Sequence, residues 1–128
     1  MNFLTFFLIG FRIICVSAVG VDGLFETQGP SFMVEPPARL EFTNSHGGRV
    51  DCLAQGNPDP LVEWVSGDGS LLSLIPGVRM PLGNGSLYFP PFQAEIYRQD
   101  VHAAVYRCVA TNSVGAIVSR DVVVRAGE

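Results

Sequence analysis

Two cysteines, Cys52 and Cys108, constrain this chain more than any other feature, because its N-terminus implies a compartment in which they form a pair. The 128 residues hold three cysteines, and the third, Cys15, lies in a leader-like opening. Phe3, Leu4, Phe6, Phe7, Leu8 and Ile9 make an apolar run that Phe11, Ile13, Ile14 and Val16 continue. Ala18-Val19-Gly20 then fits a small-x-small cleavage site, with Val16-Ser17-Ala18 as an earlier alternative. Residues 1–20 are therefore read as a signal peptide; because Arg12 interrupts the run and no basic residue precedes it, an uncleaved anchor is the competing reading. Secretion meets an oxidising compartment, so Cys52–Cys108 is expected as a disulfide, with two buried thiols as the alternative. In the chain-entropy view, closing a loop of about 55 residues stabilises the fold by roughly 4 kcal/mol. Typical domains hold ~5–15 kcal/mol in total, so this one bond is decisive.

The mature chain is punctuated by turn residues at intervals that suit many short strands rather than helices. Residues 21–29 read as a loose N-terminal segment, and residues 30–126 as one folded domain. Phe32 with Val34, and Leu40 with Phe42, mark two extended pieces split by Pro36-Pro37, which cannot donate to a ladder. Val50, Cys52 and Ala54 share one face, as do Val62 and Trp64, and then Tyr106, Cys108 and Ala110. Turns are expected at Asn57-Pro58-Asp59-Pro60, Gly67-Asp68-Gly69 and Asn84-Gly85, the last as a type I′ hairpin. Gln93 to Asp100 reads as one or two helical turns. In the last strand the parity of Val122 and Val124 does not match Ile117, which predicts a bulge.

Cys52, Trp64 and Cys108 stand in the order of an immunoglobulin core, with the indole placed to pack on the bridge. Tyr106, two residues before the second cysteine, occupies the tyrosine-corner position, where its hydroxyl returns to upstream backbone. Together these predict an all-β, immunoglobulin-like sandwich of two antiparallel sheets with one inter-sheet disulfide.

Longer runs narrow the resemblance. Gln55-Gly56-Asn57-Pro58, Phe89-Pro90-Pro91-Phe92, Tyr97-Arg98-Gln99, Val101-His102-Ala103 and Ser119-Arg120-Asp121-Val122 resemble the first domain of the Down syndrome cell adhesion molecule (Dscam) family, an I-set immunoglobulin domain, over residues 29 to 126. The acid usual four residues before the corner tyrosine is missing, and Asp100 lies six before Tyr106, an insertion the resemblance shares. Family members are long receptors with many immunoglobulin and fibronectin type III domains and a membrane span. The resemblance implies homophilic cell–cell adhesion in neuronal wiring, including axon guidance and dendrite self-avoidance, by an extracellular part of a surface receptor. Its partners would be identical or related immunoglobulin chains, and membrane attachment would come from downstream regions. The alternative is a secreted soluble domain that binds a foreign or diffusible ligand in immune recognition.

Chemistry points the same way. All eight basic residues are arginine; without Arg12, seven face twelve carboxylates, a balance unsuited to neutralising nucleic-acid phosphates. His46 and His102 lie in no metal-ligand spacing and beside no recognisable nucleophile, so no enzyme activity, metal, cofactor or small-molecule substrate is expected. Binding would use an outward sheet face: Leu61, Glu63 and Val65 on one strand, Arg107, Val109 and Thr111 on its neighbour, with a Glu63–Arg107 pair between them. Leu71-Leu72 with Leu74-Ile75 is a competing apolar patch. Asn84-Gly85-Ser86 is the one N-x-[ST] sequon, making Asn84 both a candidate glycan acceptor and a turn residue.

Overall fold

Residues of alternating polarity become strands because successive side chains of extended backbone point to opposite faces. The computed structural model describes residues 26–128, so the expected leader and most of the expected loose segment lie outside it. In chain order the strands are β1 (Gln28–Val34), β2 (Arg39–Thr43), β3 (Gly48–Val50), β4 (Leu53–Asn57), β5 (Leu61–Ser66), β6 (Met80–Pro81), β7 (Leu87–Phe89), β8 (Ala103–Thr111), β9 (Ala116–Val118) and β10 (Val122–Gly127). A 3-10 turn at Ala94–Ile96 and one helical turn, α1 (Gln99–His102), lie within the segment read as helical turns and just beyond it. Strand β1 starts inside the stretch read as loose: Gln28 pairs with Asn57, and Asn57 Nδ2 donates to the Glu26 carbonyl at 2.7 Å. Ladder pairing, which local polarity does not report, orders these residues.

One sheet orders its strands β2-β10-β8-β5, with β9 added on β8. The opposite layer is β1 on β4 and β3-β7-β6. Strands β3 and β4 form one run that changes partner midway, from β7 to β1. At the change, the Cys52 N–H donates to the Gly85 carbonyl at 3.1 Å. Every pairing is antiparallel except β2 with β10, which run parallel from Arg39↔Val123 to Thr43↔Gly127.

The expected immunoglobulin-like sandwich and its disulfide are present. Cys52 and Cys108 are bonded across the two sheets, with Cα atoms 6.5 Å apart, and both are fully buried. Trp64 packs in the same core, and its indole N–H donates to Gly85 O at 3.0 Å. Gly85 therefore receives two donors on one carbonyl. It has φ +96°, and a side chain there would meet the Cys52 carbonyl oxygen at 2.2 Å, so the site requires glycine. Tyr106 Oη donates to Val101 O at 2.8 Å, which ties α1 to β8. Val50, Leu87, Phe89, Val101, Val122 and Val124 complete the core. Val34, expected beside Phe32, is half-exposed, because the register between β1 and β4 shifts between Phe32 and Val34.

Candidate binding face

The register of β5, β8, β9 and β10 settles which side chains share the outer face of the larger sheet. Leu61 lies opposite Thr111, Glu63 opposite Val109 and Val65 opposite Arg107, which brings together the six residues named from the sequence. Strand β9 extends the face: Val118 lies opposite Val109, and Ala116 opposite Thr111. Strand β10 adds Val123 opposite Val105. Leu71 bridges to Val65 at the edge of β5. Leu61 is 61% exposed, Leu71 63% and Val118 57%, so aliphatic side chains stand in water along this face. Leu71, Val105, Val118 and Val123 were not among the six; the parity of β8 carries Val105, but Val118 and Val123 depend on where the bulge falls. The Leu71–Ile75 patch divides by depth: Leu72 and Ile75 pack against the core, while Leu71 and Leu74 stay out.

The expected Glu63–Arg107 pair does not form. Arg107 Nε donates to Asp121 at 2.5 Å, and Glu63 makes no ion pair among the described residues. The cause is the bulge that separates β9 from β10. Ala110 faces Ile117 on β9, but Tyr106 faces Val122 on β10, so one extra residue lies between the two ladders. That residue sets Asp121 beside Arg107 and turns Arg120 away. Arg120 then holds Glu35 near the end of β1: its N–H and guanidinium donate to the carboxylate at 2.7 and 3.2 Å. The backbone bond and then the guanidinium keep the Glu35 carboxyl below the usual range. At the near edge of the face, the Ser66 and Ser70 hydroxyls and the Ser70 N–H hold the Asp68 carboxyl down to about 2.

Beyond this face the polar side chains serve turns and the core. His102 is fully buried, with its ring stacked on Phe92 at 4.0 Å and on Tyr97 at 5.5 Å. Its Nδ1 accepts from the Arg98 N–H at 2.9 Å, which puts the ring proton on Nε2, and Nε2 has no partner. Burial first, then the Arg98 charge, lowers its pKa, against the Asp100 charge. Arg79, which the sequence reading overlooked, is 8% exposed and reaches only Tyr106 Oη and the Ser73 carbonyl, both at 3.4 Å. Asp100, two places further from Tyr106 than usual, pairs with Arg98 at the surface instead. His46 lies exposed in the β2–β3 turn, its Nδ1 within 2.8 Å of Thr43 Oγ1. No cluster of three metal-ligating side chains occurs among the described residues, and no helix there is long and apolar enough to cross a membrane.

Asn84 is exposed, one place away from its expected position in the turn. Gly85 N–H donates to Leu82 O, so Gly83 and Asn84 are the central pair and Gly85 follows as a left-handed bulge residue. The hairpin is a longer loop than the two-residue type I′ form, because Gly85 must approach Cys52 and Trp64.

No protein-family model matches the chain. Among curated proteins it is 59% identical over 99 residues to cell adhesion molecule Dscam2 of Drosophila melanogaster, covering 77% of this chain. With cell adhesion molecule Dscam1 of the same organism it shares 50% identity over 101 residues and 79% of the chain. The chain spans about 5% of the length of either relative. Among solved structures, the N-terminal four immunoglobulin domains of Dscam1 isoform 7.44 match at TM-score 0.77 and 50% identity, over 79% of this chain and 26% of that one. A structure described as the basis for Dscam isoform specificity matches at TM-score 0.76 and 50% identity, over 78% and 26%. The buried Cys52–Trp64–Cys108 core, the tyrosine corner and these matches make the chain an immunoglobulin domain that resembles the N-terminal immunoglobulin domain of Dscam.

Proposed function

We propose that the chain is a non-catalytic cell-adhesion module, an extracellular part of a surface receptor that binds immunoglobulin chains of its own kind. Its relatives are named cell adhesion molecules. The observation that carries the reading is the outer face of the larger sheet, where Leu61, Leu71 and Val118 are each more than half exposed. Aliphatic side chains grouped on one face favour association, since each covered Å² contributes about 25 cal/mol before association costs. The Arg107–Asp121 pair beside them supplies direction rather than strength, because exposed pairs are worth ~0–1 kcal/mol. A four-strand face offers roughly 500 Å² per copy from strand spacing alone, so a lone domain sits near the lower limit for a stable interface and binds weakly. Axon guidance and dendrite self-avoidance are the settings this reading assigns.

Beads coated with the secreted chain test it. They should aggregate with one another, and Val118→Arg should abolish aggregation while Leu74→Arg, on exposed apolar surface elsewhere, leaves it intact. Equal aggregation of the Val118→Arg beads would remove this face from the reading.

A further inference from the structure

A groove on the opposite side of the sandwich has the composition of a sugar seat. It encloses about 290 Å³ between Val34, Arg49, Asp51, Leu53, Asn84 and Ser86. That is at the small end for small-molecule pockets and suits one ring rather than a chain of them. Val34 and Leu53 face each other across β1 and β4, and each is 43% exposed, an apolar floor that nothing among the described residues covers. Arg49 and Asp51 form an ion pair at 3.1 Å on another wall, and Asp51 also accepts from Ser86 Oγ at 2.7 Å. Asn84 stands exposed at the rim. Its Oδ1 accepts from the Ser86 N–H at 3.0 Å, so Nδ2 is the atom left for another bond.

We infer that Asn84 carries an N-linked glycan whose first N-acetylglucosamine lies in this groove. The inference rests on the extracellular reading. Transfer forms a bond from Asn84 Nδ2 to the anomeric carbon of a lipid-pyrophosphate-linked oligosaccharide. The anomeric carbon–oxygen bond breaks, the lipid pyrophosphate leaves with the electron pair, and Nδ2 gives up one proton. Ser86 is buried in the finished fold, so transfer precedes closure of the hairpin. The less polar face of the sugar ring covers Val34 and Leu53, while its hydroxyls and acetamido group meet the donors of Arg49 and the acceptors of Asp51. The occupied groove lies in the β1–β4 and β3–β7 layer, so the β5–β8 face remains open to a partner.

The experiment expresses the whole chain in animal cells and weighs what reaches the medium. A glycan mass that Asn84→Gln removes is the expected result. Secreted chain without that mass overturns the inference and leaves the extracellular reading standing; no secreted chain at all overturns both. The seat is tested on wild-type protein trimmed to a single N-acetylglucosamine, compared with the same sequence made glycan-free in an oxidising bacterial compartment. The single sugar should raise Tm by about 2–4 °C, and Leu53→Ser should erase that difference. Identical Tm values for the one-sugar and sugar-free wild-type proteins would overturn the seat.

Discussion

The middle of the sandwich and its α1 end handle buried polar groups in opposite ways. In the middle, Trp64 donates to Gly85, Tyr106 donates to Val101, and the two sulfurs are bonded to each other. At the α1 end, Arg79 Nε and His102 Nε2 are buried with no partner. The insertion that moves Asp100 out to Arg98 removes the carboxylate that would have faced inward, and histidine occupies the vacated distance from the corner tyrosine. An orphaned buried donor forfeits its hydration without recompense, about 1–3 kcal/mol. The fold therefore keeps its satisfied centre as the stable unit and leaves its weakness at one end.

Breaking the centre should cost most. Cys52→Ser is expected to lose about 4 kcal/mol by the loop-closure argument, and Trp64→Ala about 3–5 kcal/mol as a buried aromatic site empties; urea melts of the oxidised chain check both. Since Trp64 packs in the disulfide's core cluster, native indole fluorescence should be quenched and rise on reduction and unfolding. Tyr106→Phe crosses between the regions, because Oη serves Val101 O and Arg79 together. It should cost about 1–3 kcal/mol, and a smaller loss than Trp64→Ala is required if the centre dominates.

The smallest effect reads the α1 end alone. His102 has a folded pKa below its ordinary 6.5, so the unfolded chain takes up its proton first and stability falls as pH drops below that value. The lowered carboxyls of Glu35, Glu41, Asp68 and Asp100 begin to matter only below their ordinary 4.5 and 3.8. Between pH 6.5 and 4.5 the fall in Tm belongs to His102, and His102→Phe should flatten it. An unchanged slope in that variant would place the acid-sensitive group elsewhere.

What was legible from sequence follows the same division. Cys52, Trp64, Tyr106 and Cys108 announce themselves by spacing, because residue type alone fixes their environment. The bulge was legible from the parity of Ile117 against Val122, and the structure bears it out. Its consequence was not: that Asp121 rather than Glu63 meets Arg107 depends on which residue the ladder skips, a tertiary choice. The turn at Asn84 shifted by one place for a similar reason, since Gly85 is claimed by Cys52 and Trp64 from two other strands. Arg79 carries no local signal, because its surroundings come from Tyr106 and Ser73.

The parallel pairing of β2 with β10 has a mechanical meaning for the adhesion role proposed above. Early and late strands lie side by side and point the same way over five residue pairs. A pull on the two chain ends drags β2 backward and β10 forward, so the ladder is sheared along its length and its hydrogen bonds bear tension together. An antiparallel hairpin pulled at its open end would instead peel apart one bond after another. With Cys52 joined to Cys108, the chain between them cannot be drawn out even after the ladder ruptures. Tension along the chain then meets an abrupt threshold followed by a short tether, instead of a gradual lengthening.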